Sequence, residues 1–266
     1  MNDVLTYIDE RMEETVARLQ AFCRQPSIAA QGEGMAEMAE LVRQTLEQAG
    51  AGAELVPTGG YPVVLGRFPG KNPKTLMFYN HYDVQPPDPL DLWKSPPFAA
   101  EVRDGHLYAR GVADNKGNLV ARLAAVEAWL AVRGELPLNI LFVVEGEEEI
   151  GSTNLGTFAE GHRDKLEADG CIWETGYKDT RGRPEVMLGA KGILAVDLQV
   201  QALGRDLHSA NAAIAESATW RLIWALNSLK GPDERICLAG FYDDVRARDR
   251  RVRTMRAEGE YVEAGG

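Results

Sequence analysis

One histidine and several acidic residues follow the ends of predicted strands, where they could meet in a single crevice. His81 and Asp83 follow an apolar run, and Asp114 lies in a loop that leads into a predicted helix. Further acids follow the next two apolar runs: Glu145, Glu147, Glu148, Glu149 and Glu174. Sites in open α/β sheets form beyond the carboxyl ends of the strands, so these side chains are candidates for one shared site.

Such a cluster of carboxylates is unfavourable unless a cation lies among them. Neighbouring carboxylates repel each other, and burial penalises each charge. A divalent metal removes both penalties, and nitrogen and oxygen ligands without cysteine suit Zn, Mn or Co. One histidine among several carboxylates favours two ions that share a bridging carboxylate, about 3.5–4 Å apart. The sequence therefore predicts a centre with two divalent metal ions.

Each segment alone also has a simpler structural interpretation. The run Glu147-Glu148-Glu149 is typical of the first turn of a helix, where the helix dipole favours acids. The segment 114–117 is typical of a turn followed by a helix N-cap. The coincidence of these segments at strand ends is what favours the metal site over the simpler alternatives.

An alternation of helices and strands must position these residues. Apolar spacing predicts three helices, over 4–22, 35–48 and 118–132. The predicted strands span 61–68, 75–79, 138–144 and 171–173, and the last two are expected to be buried. Asp104-Gly105 marks a hairpin, and prolines between residues 85 and 97 make an irregular loop. This order predicts an α/β sandwich around a mostly parallel central sheet.

The pattern changes near residue 189. A half-buried strand is predicted over 193–200, a helix over 218–229 and a strand over 236–239, which together fit a smaller α+β domain. The tail over 243–266 is rich in arginine with interleaved acids. We interpret the tail as a solvated helix face, because a nucleic-acid arm does not suit an acidic chain.

Composition excludes several classes of protein. The chain has 266 residues, a net charge of −11, 45% hydrophobic residues and 26% charged residues, which indicates a globular protein. The negative charge argues against nucleic acid or an anionic membrane as a partner. No signal peptide and no apolar membrane span are recognisable. Three widely spaced cysteines form no disulfide framework, so a cytoplasmic location is expected.

Three motifs resemble the metal signatures of the dinuclear zinc metallopeptidase and deacylase superfamily. They are residues 79–86 (YNHYDVQP), 108–117 (YARGVADNKG) and 145–152 (EGEEEIGS). This superfamily includes acetylornithine deacetylase, succinyl-diaminopimelate desuccinylase, aminoacylase, glutamate carboxypeptidase and carnosinase. The resemblance extends from the N-terminal helix to about residue 244. The proline-rich loop after His81 and the segment 206–209 (DLHS) most resemble the carnosinase-type dipeptidase branch.

The resemblance implies roles for individual metal ligands. Asp114 would bridge the two ions, and His81 and Glu174 would complete the first site. Glu149 would bind the second ion, which in this superfamily also takes a histidine from further along the chain. No histidine follows His208 in this sequence, so the second site is expected to be incomplete. The chain is accordingly expected to be the N-terminal portion of a longer enzyme.

The resemblance also implies the groups that carry out the reaction. Glu148 would be the general base that takes a proton from the water activated by the metals. Asp83 would fix the tautomer of His81, and the Asp114-Asn115 peptide bond would be cis. His208 would stabilise the oxyanion, reaching from a lid domain into the site of a partner subunit. His106 and His162 match no position of the family and are expected to be exposed.

The fold and activity implied by the resemblance complete the expectations. The fold would be a phosphorylase/hydrolase-like sandwich, with a catalytic metal-binding domain over 1–188 that lacks its C-terminal part. Residues 189–266 would form part of a ferredoxin-like α+β lid through which a homodimer assembles. The reaction would be hydrolysis of an amide bond in dipeptides or short peptides. Alternatives are deacylation of N-acyl amino acids, or a truncated, non-catalytic metal-binding chain.

Overall fold

The computed structural model describes residues 1–174, 176, 178–187, 192–205, 208–211 and 213–245. The chain divides into two compact units, Met1–Leu188 and Gly189–Gly266. The roles expected for the two parts, catalytic domain and lid, stay predictions.

A five-stranded sheet forms the centre of the first unit. The described residues form these strands: β1 (Gly52–Val56), β2 (Val63–Phe68), β3 (Gly70–His81), β4 (Glu101–Arg103), β5 (His106–Tyr108), β6 (Leu136–Glu145) and β7 (Gly170–Ile172). The sheet has the order β1-β2-β6-β3-β7, while β4 and β5 form a separate hairpin. β3 is parallel to β6 and β7, and β2 is antiparallel to β1 and β6. Only β2 therefore runs against the other strands, which confirms the α/β class with a mostly parallel sheet.

Helices cover both faces of this sheet. Those in the first unit are α1 (Asn2–Glu10), α2 (Met12–Arg24), α3 (Met35–Gln48), α4 (Gly117–Arg133) and α5 (Leu155–Gly161). Successive residues of a strand point to opposite faces, and β6 follows this rule. Phe142 belongs to the core that α3 and α4 complete, and Leu141 belongs to the opposite core beside Phe158 of α5. The continuous apolar run in β6 is explained because both of its faces are buried.

Most predicted elements of the first unit are present, with three differences. The predicted helix over 4–22 is two helices, because the helical conformation is interrupted at Arg11, between α1 and α2. β1 and α5 were not predicted, since both are short and β1 is mostly exposed. The predicted strand over 171–173 exists as β7, but its expected burial is wrong. β7 is exposed because it pairs only with β3, at the edge of the sheet.

In the second unit, α6 (Ala218–Leu229) confirms the predicted helix. Ser217 caps it by accepting a hydrogen bond from the backbone N–H of Trp220 at 3.4 Å. The strands predicted over 193–200 and 236–239 are wrong, because no strand exists among described residues 192–205 and Ile236 makes only an isolated bridge to Lys230. Ile193 is 96% exposed, and no strand among the described residues pairs with its run to form the ladder of hydrogen bonds that a strand requires.

Two expectations concern the tail and membranes. Most of the arginine-rich tail, residues 246–266, lies outside the described residues. None of the described helices combines the length and the apolar character that a membrane crossing requires.

Candidate metal centre

The carboxyl ends of β3 and β6 bring the first and third motifs, residues 79–86 and 145–152, side by side. His81 is the last residue of β3 and pairs in register with Glu145, the last residue of β6. The backbone N–H of Tyr82 donates to the Glu145 carbonyl at 2.8 Å, which keeps the two chains together beyond the strands. Because the strands are parallel, the loops that follow them begin side by side. The His81 side chain is fully buried there.

Three carboxylates surround one nitrogen of His81. Nε2 lies 3.0 Å from Asp114 Oδ1, 3.5 Å from Glu174 Oε2 and 3.9 Å from Glu148 Oε2. Two groups of residues each offer ligand atoms that all lie within 4.8 Å of one another. The first group is His81, Glu148 and Glu174, and the second is His81, Asp114 and Glu149. The structure therefore brings together the acids that the sequence placed at separate strand ends.

Asp83 links the imidazole to the turn that carries the glutamates. Nδ1 of His81 lies 3.1 Å from the carbonyl oxygen of Asp83 and 3.3 Å from its Oδ1. The same buried carboxylate accepts backbone hydrogen bonds from Glu148 at 3.2 Å and Glu149 at 2.9 Å. It thereby satisfies the free N–H groups at the start of the short helical turn Glu148–Ile150. Gln85 donates to both the carbonyl (2.9 Å) and the side chain (3.0 Å) of Glu149.

The loop that carries Asp114 is held in place by contacts with the end of α2. The Asp114-Asn115 peptide bond is cis, which confirms that expectation. Two residues later, the fully buried ammonium of Lys116 donates to the carbonyls of Phe22 at 3.0 Å and Gln25 at 2.8 Å. The loop is thus tied to the end of α2, while the Asp114 side chain remains 61% exposed and faces the open side of the cluster.

Glu174 enters the cluster just beyond β7. Its carbonyl accepts hydrogen bonds from Asn118 Nδ2 at 3.0 Å and from Arg122. Its Oε2 is buried and has no hydrogen-bond partner among the described residues. An acceptor that is buried without a partner is unfavourable, and a cation beside His81 Nε2 would satisfy it.

The cluster holds protons in the absence of a cation. Burial by itself would lower the pKa of His81, but hydrogen bonds to Asp114 and Asp83 outweigh burial and raise this pKa to about 10. Burial raises the pKa of Glu148 to about 7, with Glu174 and Glu149 adding repulsion and His81 opposing it. Burial also raises the pKa of Glu174. A metal ion removes this need for protons, since ligands bind metals in their deprotonated forms.

The chemistry of the donor set fits a divalent ion. One imidazole nitrogen, several carboxylates and a buried unpartnered oxygen converge, and no cysteine takes part. Oxygen and nitrogen donors of this kind suit Zn, Mn or Co. Asp114 and Glu148 keep one side of the cluster accessible, as a catalytic site requires.

Two other histidines of the first unit, His106 and His162, lie outside this cluster. His208 belongs to the second unit, is exposed and accepts a hydrogen bond from the backbone of Ala210 at 3.1 Å. Its role as an oxyanion donor stays a prediction. His106 is exposed as expected, whereas His162 is half-buried because its ring stacks on Phe158 at 4.9 Å.

Several supporting contacts had no signal in the sequence analysis. Gln85, Asn118 and Arg122 act on the backbone of the ligand segments, so their partners are carbonyls that no sequence pattern marks. Asn80 had a weak signal, because it directly precedes His81. Its side chain donates to Asn115, the residue after Asp114.

Known proteins match the part of the chain that builds this site. The family model described as Peptidase family M20/M25/M40 matches residues 77–253. The Cys-Gly metallodipeptidase dug1 of Schizosaccharomyces pombe is 31% identical, over 90% of this chain and 54% of that protein. The Beta-Ala-His dipeptidase of Homo sapiens is 30% identical, over 92% of this chain and 52% of that protein.

A solved structure extends the match to three dimensions. The M20 family metallo-carboxypeptidase Sso-CP2 from Sulfolobus solfataricus superposes with a TM-score of 0.86 and 41% identity, over 94% of this chain and 57% of that one. The chain spans about half the length of the relatives it matches. The family model covers more than half of the chain, including all three ligand-bearing strand ends. The chain therefore belongs to Peptidase family M20/M25/M40.

Proposed function

We propose that this chain carries the metal centre of an exopeptidase that hydrolyses the amide bond of dipeptides or short peptides. The observation that carries the proposal is the position of the buried His81, whose Nε2 lies within 3.0–3.9 Å of three carboxylates. The related Cys-Gly and Beta-Ala-His dipeptidases support dipeptides as substrates.

The proposed centre takes two divalent ions, of which zinc is the first candidate and Mn or Co are alternatives. His81 and Glu174 would hold the first ion, Glu149 would hold the second, and Asp114 would contribute to both. Glu148 lies 3.9 Å from His81 Nε2 and is also within reach of an ion held by His81 and Glu174. We assign it to proton transfer because of the resemblance of the third motif. Among the described residues we assign Asp114 and Glu149 to the second site, so we expect weaker binding there than at the first.

The ions, when bound, would supply Lewis acidity toward the scissile carbonyl and lower the pKa of a water. Glu148 then accepts the proton of the attacking water at its carboxylate and delivers it to the leaving amine. Asp83 contacts both the His81 ring and the backbone N–H of Glu148, so it fixes the position of the base relative to the metal ligand.

The remaining parts of the proposal concern the second unit. Residues 189–266 would belong to a ferredoxin-like lid that mediates a homodimer, and His208 would stabilise the oxyanion in the partner's site. A cytoplasmic location is proposed from the scattered cysteines, which form no disulfide framework.

A second activity is favoured by one comparison. The solved structure with 41% identity is a metallo-carboxypeptidase, which suggests longer peptides as alternative substrates. Deacylation of N-acyl amino acids is the other alternative within the same chemistry. Rates on a free dipeptide, an N-acetylated amino acid and an N-blocked tetrapeptide separate the three. A preference for the free dipeptide supports the main proposal.

The test of the mechanism is Glu148→Gln in the complete protein. General bases contribute roughly 10²–10⁴ in rate, so we expect dipeptide turnover to fall by about that factor. Metal content, measured by elemental analysis, should stay unchanged because Glu148 is not a proposed ligand. Turnover within about threefold of the original protein would contradict the assignment of the base.

A further inference from the structure

We propose that Arg122 is a positioning residue that sets the distances among the three ligands of the first metal, His81, Asp114 and Glu174. This inference rests on the proposed metal centre and adds a residue that lies behind it. Arg122 contacts no reacting atom; it acts through the backbone and through Asn80. It lies on α4, the helix that follows the Asp114 loop.

The two ends of the guanidinium bind two different strand ends. Nη1 donates to the carbonyl of Tyr79 at 2.7 Å and to Oδ1 of Asn80 at 2.8 Å. These are the two residues that precede His81. Nη2 donates to the carbonyl of Trp173 at 3.1 Å and to the carbonyl of Glu174. One planar side chain thus spans the gap between the segments that carry two of the ligands.

Asn80 extends the same network to the third ligand. While its Oδ1 accepts from Arg122, its Nδ2 donates to the side-chain oxygen of Asn115. Asn115 is fully buried and directly follows Asp114 across the cis bond. A shift of Arg122 is therefore transmitted to the Asp114 loop as well as to the ends of β3 and β7.

Glu174 depends on this contact more than the other ligands do. β7 has three residues, all exposed, and pairs only with β3. Beyond β7, the described contacts of the Glu174 carbonyl come from Arg122 and Asn118. A short edge strand with so few hydrogen bonds opens easily. The guanidinium, together with Asn118 and the stacking of Trp173 on Tyr79, therefore constrains where Glu174 lies.

Only arginine suits this place. Its rigid, planar fork offers donors at two ends, whereas the lysine ammonium is a single point charge on a flexible stem. The guanidinium carbon also lies 5.6 Å from the centre of the Phe78 ring, which holds its plane by a cation–π contact. Burial lowers the pKa of Arg122, yet an arginine keeps its charge.

The test compares Arg122→Met and Arg122→Lys with Arg18→Met in the same chain. Arg18 is a matched control, because it is half-buried and makes a bidentate pair with Glu127 at 2.6 and 2.9 Å, outside the metal cluster. The readouts are Zn²⁺ affinity by competition with a chelating dye and the visible absorption of the Co²⁺-loaded chain. Melting temperatures show how far each substitution acts on stability alone.

Removing groups that orient metal ligands typically weakens metal binding by about 10- to 100-fold, and we expect this range for Arg122→Met. Arg122→Lys should also weaken binding and alter the Co²⁺ spectrum, although it keeps the charge. Arg18→Met should lower the melting temperature without changing affinity or spectrum. If Arg122→Met does not fold, Arg122→Lys decides the question.

Two failures are distinguishable. Unchanged Zn²⁺ affinity and an unchanged Co²⁺ spectrum in folded Arg122→Lys and Arg122→Met would overturn the positioning role while leaving the metal centre intact. Absence of Zn²⁺ binding in the original chain would overturn the proposed centre itself.

Discussion

Asp83→Asn is the substitution that best tests how the site is built. The Asp83 carboxylate is fully buried and gives one oxygen to the backbone N–H of Glu148 and the other to that of Glu149. Asparagine has the same shape but offers only one acceptor oxygen. The NH₂ group of the asparagine must then face one of the two backbone N–H groups. That backbone N–H loses its acceptor and faces another donor instead.

The expected magnitude follows from these contacts. A buried donor left without a partner costs about 1–3 kcal/mol, and loss of the carboxylate charge weakens the remaining hydrogen bond. The substitution also removes the desolvation penalty of a buried charge, which offsets part of this loss. We therefore expect the free energy of unfolding to fall by about 2 kcal/mol. His81 Nδ1 keeps the nearer Asp83 carbonyl at 3.1 Å, so Zn²⁺ affinity should fall by about tenfold, the lower end for such substitutions.

The assay is urea unfolding of the metal-free chain together with Zn²⁺ titration by dye competition. Asp179→Asn is the control, since Asp179 accepts backbone hydrogen bonds from Arg181 and Arg183 through a single oxygen at 2.9 Å. That oxygen survives the substitution, and the loss is the exposed ion pair between the other oxygen and Arg183 Nε at 2.6 Å. We therefore expect the free energy of unfolding to fall by less than about 1 kcal/mol, with no change in Zn²⁺ affinity. Asp83→Asn with the stability and affinity of the original chain would refute the reasoning.

Two further predictions concern the glutamates of the same turn. Glu148 has its pKa raised from 4.5 to about 7, so the metal-free fold loses stability as pH rises through this interval. Glu148→Gln should therefore stabilise the metal-free chain at pH 8 but not at pH 4.5, measured by melting temperature; a pH-independent difference contradicts this. Gln85→Ala removes two hydrogen bonds to Glu149 and should weaken binding of the second ion by about three- to tenfold while sparing the first, measured by Mn²⁺ titration. An equal loss of affinity for both ions would contradict the assignment of Glu149 to the second site.

The cluster of ligands was predictable because topology places it. An apolar run predicts a strand, and parallel strands end on one side of a sheet, so His81 and the Glu145–Ser152 segment were candidates for one crevice. That β3 and β6 are neighbours is known only from the structure. Glu174 followed from the same rule and from the resemblance of the motifs. Asp114 lies beyond the separate hairpin of β4 and β5, so the resemblance is what identified it. The cis bond at Asp114-Asn115 followed from the resemblance alone.

The support behind the ligands was not predictable in the same way. Arg122 binds main-chain carbonyls from separate strands, and every residue has such a carbonyl. The second contact of Asp83, to two backbone N–H groups, has no side-chain partner that a pattern could reveal. These contacts depend on tertiary distances, which the local sequence does not encode.

The failed strands have a different cause. Residues 193–200 alternate as a strand should, but a strand is stable only when another strand completes its hydrogen bonds. Among the described residues of the second unit no such partner lies beside them. Local periodicity therefore overestimated the order of this segment, whereas α6, whose hydrogen bonds are internal, formed at the predicted bounds.

The central claim is that His81, Asp114 and Glu174 together bind a divalent ion. The most direct measurement is titration of the metal-free chain with Co²⁺, followed by visible absorption, beside the variant His81→Ala. The account predicts one tightly bound Co²⁺ per chain, with ligand-field bands that His81→Ala abolishes while the variant remains folded. Absence of binding in the original chain, or an identical spectrum and affinity in folded His81→Ala, would contradict it.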